Sequence, residues 1–130
     1  MTGEELGARF LTAIESRDWS LLASCFAPEA RFKALVPNKE RPFRDHSGRS
    51  PSAQQIRVWF DDSDVHELLD SSTEVIVDRV HVRYRVRCHD ADGWFMVEQH
   101  AFLEPGPEGI ESCNLLCSGF RPVEEPLQRA

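Results

Sequence analysis

The sequence predicts an α+β barrel in which three helices from the N-terminal half pack on a curved antiparallel sheet. Three observations carry that expectation. Apolar residues recur at helical spacing up to Phe60, the period switches to two after Asp61-Asp62, and turn-forming residues then punctuate a run of long strands. Helices first and strands afterwards is the order of an α+β chain. A sheet with one apolar face has to bury it, and the amphipathic helices are the available cover. Length and composition agree: 130 residues, 41% hydrophobic and 28% charged, suit one globular domain over 1–130. No internal repeat or change of composition divides the chain.

Thr2-Gly3-Glu4-Glu5 is a capping box, the threonine hydroxyl serving the first turn while Glu5 reaches back. Leu6, Phe10, Ala13 and Ile14 then form one apolar stripe. Asp18 caps a second, short helix that buries Leu21, Leu22, Cys25 and Phe26 and stops at Pro28. Arg31 to Val36 alternates and reads as a first strand, whereas Pro37 to Gly48, charged and aperiodic, reads as a loop. Ser50-Pro51 opens a third helix with Ala53, Ile56 and Phe60 inward and Trp59 on its flank. Short strands are expected over Val65–Leu69 and Thr73–Val77, followed by a turn at Asp78-Arg79. Val80, Val82, Tyr84, Val86 and Cys88 then alternate with His81, Arg83, Arg85, Arg87 and His89, the pattern of a half-buried strand. Beyond the turn Asp90-Ala91-Asp92-Gly93, strands over Trp94–Glu104 and Ile110–Phe120 flank the turn Pro105–Gly109. A flexible tail is expected over 121–130.

A net charge of −7 excludes a general nucleic-acid binder, which needs a dense basic surface. No apolar run reaches membrane-spanning length, and Met1-Thr2-Gly3-Glu4-Glu5 lacks the basic start of a secretory leader. A cytoplasmic address without membrane contact is the expectation. Cys25, Cys88, Cys113 and Cys117 then read as buried free thiols. Cys113 and Cys117 stand roughly 13 Å apart along one strand, beyond a disulfide, and no Cys-x-x-Cys pair suggests zinc. Neither metal nor cofactor is expected.

Phe10–Ile14 through Asp18-Trp19, then Phe26–Phe32, then Gln55-Ile56 to Trp59-Phe60, and finally His100-Ala101-Phe102 with the strand from Ile110 form a recognisable series. Together they resemble the nuclear transport factor 2-like superfamily, in its polyketide-cyclase (SnoaL-like) and ketosteroid-isomerase branch. The resemblance covers nearly the whole chain through loose motifs. It implies the cone fold, a small-molecule pocket and a homodimer formed through the outer sheet face. The isomerase chemistry does not carry over. The first-helix tyrosine of that family falls on Phe10, the catalytic aspartate on Ala34 and the second tyrosine on Phe60; the protonated aspartate falls on His100. A dienolate mechanism needs both a base and an oxyanion donor, so that activity is not expected.

The same alignment implies a strand parity in which Met96, Glu98, His100 and Phe102 face the interior while Gln99 and Ala101 face away. Cys113, Leu115 and Cys117 would join them from the last strand, and Tyr84 from its neighbour. Phe10, Ile14, Phe32, Ala34, Trp59 and Phe60 would close a largely apolar pocket, the usual anatomy of a small-ligand site. His100 is then the candidate acid or base, with Glu98 or Tyr84 assisting. Glu98 and His100 share a face with Cβ atoms roughly 7 Å apart, and a carboxylate beside an imidazole raises its basicity. The alternative is structural: Glu98 paired with a rim arginine, His100 bonded to a buried carbonyl. Cys117 is either a nucleophile activated by His100 or a packed thiol; no helix N-terminus is placed to lower its pKa.

The row Arg79, His81, Arg83, Arg85 and Arg87 cannot be buried unpaired, so its face is either solvated or meets acids, including those of a partner subunit. His46 and His66 read as surface residues. Asp61, Asp62 and Asp64 read as a solvated turn, without the glycine and distal glutamate of a calcium loop. Two functions remain. One is an enzyme moving a proton on a small apolar or aromatic metabolite, by isomerisation, cyclisation or dehydration. The other is a non-catalytic ligand-binding or dimerisation module, which the missing aspartate favours.

Overall fold

A computed structural model describes residues 1–127. Helix α1 (Gly3–Ser16) is capped by Thr2, whose hydroxyl accepts from the Glu5 N–H at 3.1 Å. Arg17 closes it in the left-handed conformation, φ 54°. The Asp18 carboxylate accepts from the Leu21 N–H at 3.0 Å and starts α2 (Trp19–Cys25). The chain continues through β1 (Phe26–Leu35), β2 (Phe43–Ser47), α3 (Arg49–Phe60), β3 (Val65–Ile76), β4 (Arg79–Asp90), β5 (Gly93–Gly106), β6 (Gly109–Cys117) and the short β7 (Arg121–Pro122). No helix among the described residues is long and apolar enough to cross a membrane.

The strands form one seven-stranded curved sheet in the order β2-β1-β6-β5-β4-β3, with β7 on β5. This is the expected cone-shaped α+β architecture, with differences that have physical causes. The sheet is not a closed barrel, since β2 and β3 are its edges. It is mixed rather than antiparallel, because β1 and β6 lie side by side and run the same way. Phe43–Ser47, expected as loop, pairs with Leu35–Arg31 as β2, so backbone pairing overrides a charged composition. The two short strands expected between 65 and 77 are one, β3, whose register shift between Leu68 and Asp70 breaks the alternation. The tail is pinned where it begins: Arg121–Pro122 pairs with Met96 and Phe95, and the Val123 N–H donates to the Trp94 carbonyl at 3.0 Å. Of the expected tail, 128–130 lie outside the described residues.

The concave face carries the core. Val80, Val82, Tyr84, Val86 and Cys88 of β4 stand opposite Leu103, Ala101, Gln99, Val97 and Phe95 of β5. Phe10 and Ile14 of α1, Leu22 of α2, and Ile56 and Phe60 of α3 are buried over them. Phe10 meets Phe26 edge-on at 6.5 Å and Tyr84 at 6.2 Å. Helix α1 comes so close to the sheet that a Cβ on Gly7 would lie 2.4 Å from Thr73 Cγ2.

Candidate functional site

Strand β5 turns its other face inward from the one expected. Val97, Gln99, Ala101 and Leu103 are buried, while Met96, Glu98, His100 and Phe102 lie on the outer face. The cause is the hairpin: Asp90 pairs with Gly93, which sets Tyr84 against Gln99. Tyr84 Oη donates to Gln99 Oε1 at 2.5 Å, and Gln99 Nε2 donates to Cys117 Sγ at 3.4 Å. A buried amide satisfied in this way can sit in an apolar core.

Tyr84, Cys113, Leu115 and Cys117 do face inward, where with Phe10, Ile14, Phe32, Ala34 and Phe60 they belong to the packed core. Burial pushes the Cys113 thiol up to about 12 and the Tyr84 phenol well above its ordinary value. Cys25 is pushed up to about 11, again by burial. These groups stay protonated near neutrality: Tyr84 donates to Gln99 and Cys25 to the Leu21 carbonyl, while Cys113 fills space. Cys117 and His100 lie on opposite faces of the sheet, which rules out a dyad between them.

On the outer face, His100 is held from both sides. Its Nε2 lies 3.0 Å from Glu98 Oε2 and its Nδ1 lies 2.9 Å from His81 Nε2. With Glu98 ionised, His100 donates from Nε2 and accepts at Nδ1 from His81, which leaves no lone pair free for a base. The His81 ring stacks on Phe102 at 4.5 Å. Burial, and after it repulsion from His100 whenever that ring also carries a proton, holds the His81 pKa below its usual value. The arginine row finds its acids within the chain. Arg85 Nη2 lies 3.0 Å and Arg83 Nη1 3.5 Å from Glu98 Oε1; Arg83 also meets Asp70 at 3.1 Å, and Arg87 meets Glu67 at 2.6 Å.

The His100 hydrogen bond, and after it Arg85, lowers the Glu98 pKa. Stability from this carboxylate is complete above the ordinary glutamate value of about 4.3 and is lost as pH falls through the lower folded value. Glu98→Gln is therefore expected to unfold at lower urea than the wild type at pH 7, with the gap closing as pH falls below the ordinary glutamate value of about 4.3. A gap that stays constant across that range would show that the charge contributes nothing.

Two histidines expected at the surface have partners. His46 Nε2 lies 2.9 Å from Gln55 Oε1. His66 Nε2 donates to the Ile14 carbonyl at 2.8 Å and the ring stands edge-on to Phe60, while Nδ1 is buried without a partner. Desolvation lowers its pKa and keeps it neutral. The register explains its burial: His66 pairs with Cys88, at the end of the concave face.

That same end holds a cavity of about 290 Å³. The last turn of α3, the turn after it, the adjoining ends of β4 and β5, and Phe120 frame it and leave it open to solvent, so this is the open end of the cone. Its walls are Val58, Trp59, Cys88, Phe95 and Phe120, with Asp62, Ser63 and Asp90 at the rim. Cys88 and Phe95 are Cα partners, Phe120 rests on Phe60 at 5.9 Å, and Trp59 leans on Phe32 at 6.4 Å. Of the residues expected to line a pocket from sequence, Trp59 lines this cavity, whereas Ala34, Phe102 and Leu115 line a separate groove. Phe95, Phe120, Cys88, Asp62 and Asp90 carry no such mark in the sequence; only counting back from the two-residue turn Ala91-Asp92 puts Phe95 inward. Among the described residues no group of three or more His, Cys, Asp or Glu is placed to hold a metal ion.

Solved structures identify the architecture. Bal32a, from a soil-derived mobile gene cassette, is 18% identical with a TM-score of 0.72, covering 88% of each chain. A candidate polyketide cyclase of Xanthomonas campestris pv. campestris is 19% identical, with a TM-score of 0.67 and 88% of each chain covered. A candidate ketosteroid isomerase of Kribbella flavida is 15% identical with a TM-score of 0.63, over 98% of this chain and 83% of that one. The chain thus has the nuclear transport factor 2-like fold of SnoaL-like and ketosteroid-isomerase-like proteins. No family model and no curated protein matches it.

Proposed function

We propose that the chain is a single-domain, cytoplasmic, small-molecule-binding protein whose ligand enters the open end of the cone. The observation that carries this reading is the 290 Å³ cavity walled by Trp59, Phe95 and Phe120 with carboxylates at its rim. Aromatic walls with a few polar groups are what small-ligand sites present, and this volume suits a small ligand. Proton transfer inside the cone has little support. The inward polar groups Tyr84 and Gln99 bond each other, and the histidine expected as base faces outward. The test is a thermal-shift screen of steroids, terpenoids, aromatic acids and small amines against three proteins: wild type, Trp59→Ala and His100→Ala. A true ligand should stabilise wild type and His100→Ala but not Trp59→Ala; the reverse pattern would return the site to His100.

A second reading, self-association, is favoured by the exposed apolar patch on the outer face. Leu35 is 43% exposed, Phe43 69%, Phe102 40% and Leu116 51%, and with Lys33 and Asn114 they line a groove of about 350 Å³. Clustered exposure of this kind marks an interaction surface. A second copy of this chain would cover it through apolar contact, without supplying acids to the arginine row. Leu116→Glu is expected to shift a dimer to monomer in light scattering, leaving the unfolding midpoint of the monomer unchanged. A wild type that is monomeric at 100-fold higher concentration than the assay would overturn this reading.

A further inference from the structure

We infer that the cavity at the open end of the cone selects a small organic cation of the alkylammonium class. This rests on the proposed binding site and adds the charge of its ligand. The lining contains Asp62 and Asp90 but no lysine, arginine or histidine. Neighbouring acids at this end already have partners: Asp61 pairs with Arg57 and accepts from the Trp19 indole, each at 3.1 Å, and Asp64 lies 2.7 Å from His89 Nδ1. Asp62 and Asp90 have no ion pair among the described residues; Asp90 Oδ1 accepts only from the Asp92 N–H at 2.8 Å. An anion would have to enter against both charges. A neutral ligand would cover them without compensation, at the expense of their hydration.

The walls favour the same charge. Trp59, Phe95 and Phe120 approach from three different elements, α3, β5 and the segment after β6. Aromatic faces attract a cation through their quadrupoles, Trp most strongly, and methylated ammonium groups lose little hydration on entering such a site. A charged nitrogen with alkyl substituents therefore satisfies walls and rim together, which neither a metal ion nor an acid would do.

The experiment uses a matched pair of probes, choline and its uncharged isostere 3,3-dimethylbutanol, titrated into the full chain by amide-resolved NMR. Choline should move the amides of Trp59, Ser63, Cys88, Phe95 and Phe120 and bind roughly tenfold more tightly than the isostere. Asp62→Asn combined with Asp90→Asn, both in exposed or half-buried turn and strand-end positions, should reduce that preference to the share the aromatic walls supply while keeping the fold. Trp59→Leu should weaken choline more than the isostere. Equal binding of both probes at these amides would overturn the cation assignment and leave the small-molecule site standing. If neither probe, nor any compound of the thermal-shift panel, moves these amides, both inferences fall.

Discussion

Tyr84→Ala is expected to lower stability by about 3–5 kcal/mol, the range for removing a large buried aromatic side chain. Tyr84 is fully buried, packs on Phe10 at 6.2 Å and donates to Gln99 Oε1. Tyr84→Phe separates these contributions. It keeps the packing but leaves the amide oxygen without a donor, which costs about 1–3 kcal/mol. Replacing both partners, as Tyr84→Phe with Gln99→Leu, should recover much of the loss, since no buried polar atom of the pair then lacks a partner. Urea unfolding at fixed slope measures all three. A double variant as damaged as the sum of the singles would show that the two side chains do not act as a pair.

Gly109→Ala carries the other large expected loss. Gly109 has φ 119°, and a Cβ there would lie 2.6 Å from the Cys25 carbonyl oxygen and 3.1 Å from the Phe26 carbonyl carbon. This is where β6 starts beside the passage from α2 to β1, so a side chain here forces backbone atoms apart rather than a flexible side-chain end. Backbone strain contributes about 1–3 kcal/mol and overpacking a similar amount, a total of roughly 2–6 kcal/mol. Gly93 supplies the control, with φ 122° and nothing within 4 Å of the place a Cβ would take. Gly93→Ala should show the strain alone and cost less. Equal losses at the two sites would mean that the close approach at Gly109 contributes nothing.

How much of this was legible in the sequence depends on the element. The caps at Thr2 and Asp18 and the stripe of Phe10 and Ile14 were readable because local hydrogen bonds and a 3.6-residue period act within one segment. Strand β4 was readable for the same reason, its period of two being unbroken from Val80 to His89. Strand β5 was not, because both its faces hold apolar residues: Val97, Ala101 and Leu103 on one, Trp94, Met96 and Phe102 on the other. The resemblance placed His100 inward. The turn at Ala91-Asp92 contradicted it, since an inward Tyr84 requires an inward Gln99. A one-residue shift in parity moves every side chain of a strand to the opposite face, and here it moved the candidate site from His100 to the cone's open end. Asp62, Asp90 and Phe120 come together only through the tertiary fold, from segments whose sequence carries no mark of their meeting.

The central claim is that small molecules bind at the open end of the cone and not at the histidines of the outer face. It is tested most directly by mapping the amide shifts of the isotope-labelled wild-type chain with the strongest hit of the thermal-shift screen. The account predicts changes at Trp59, Ser63, Cys88, Phe95 and Phe120, with His81, His100 and Leu116 unmoved. Changes confined to His81, His100, Phe102 and Leu116 would contradict it and make the outer face the functional surface.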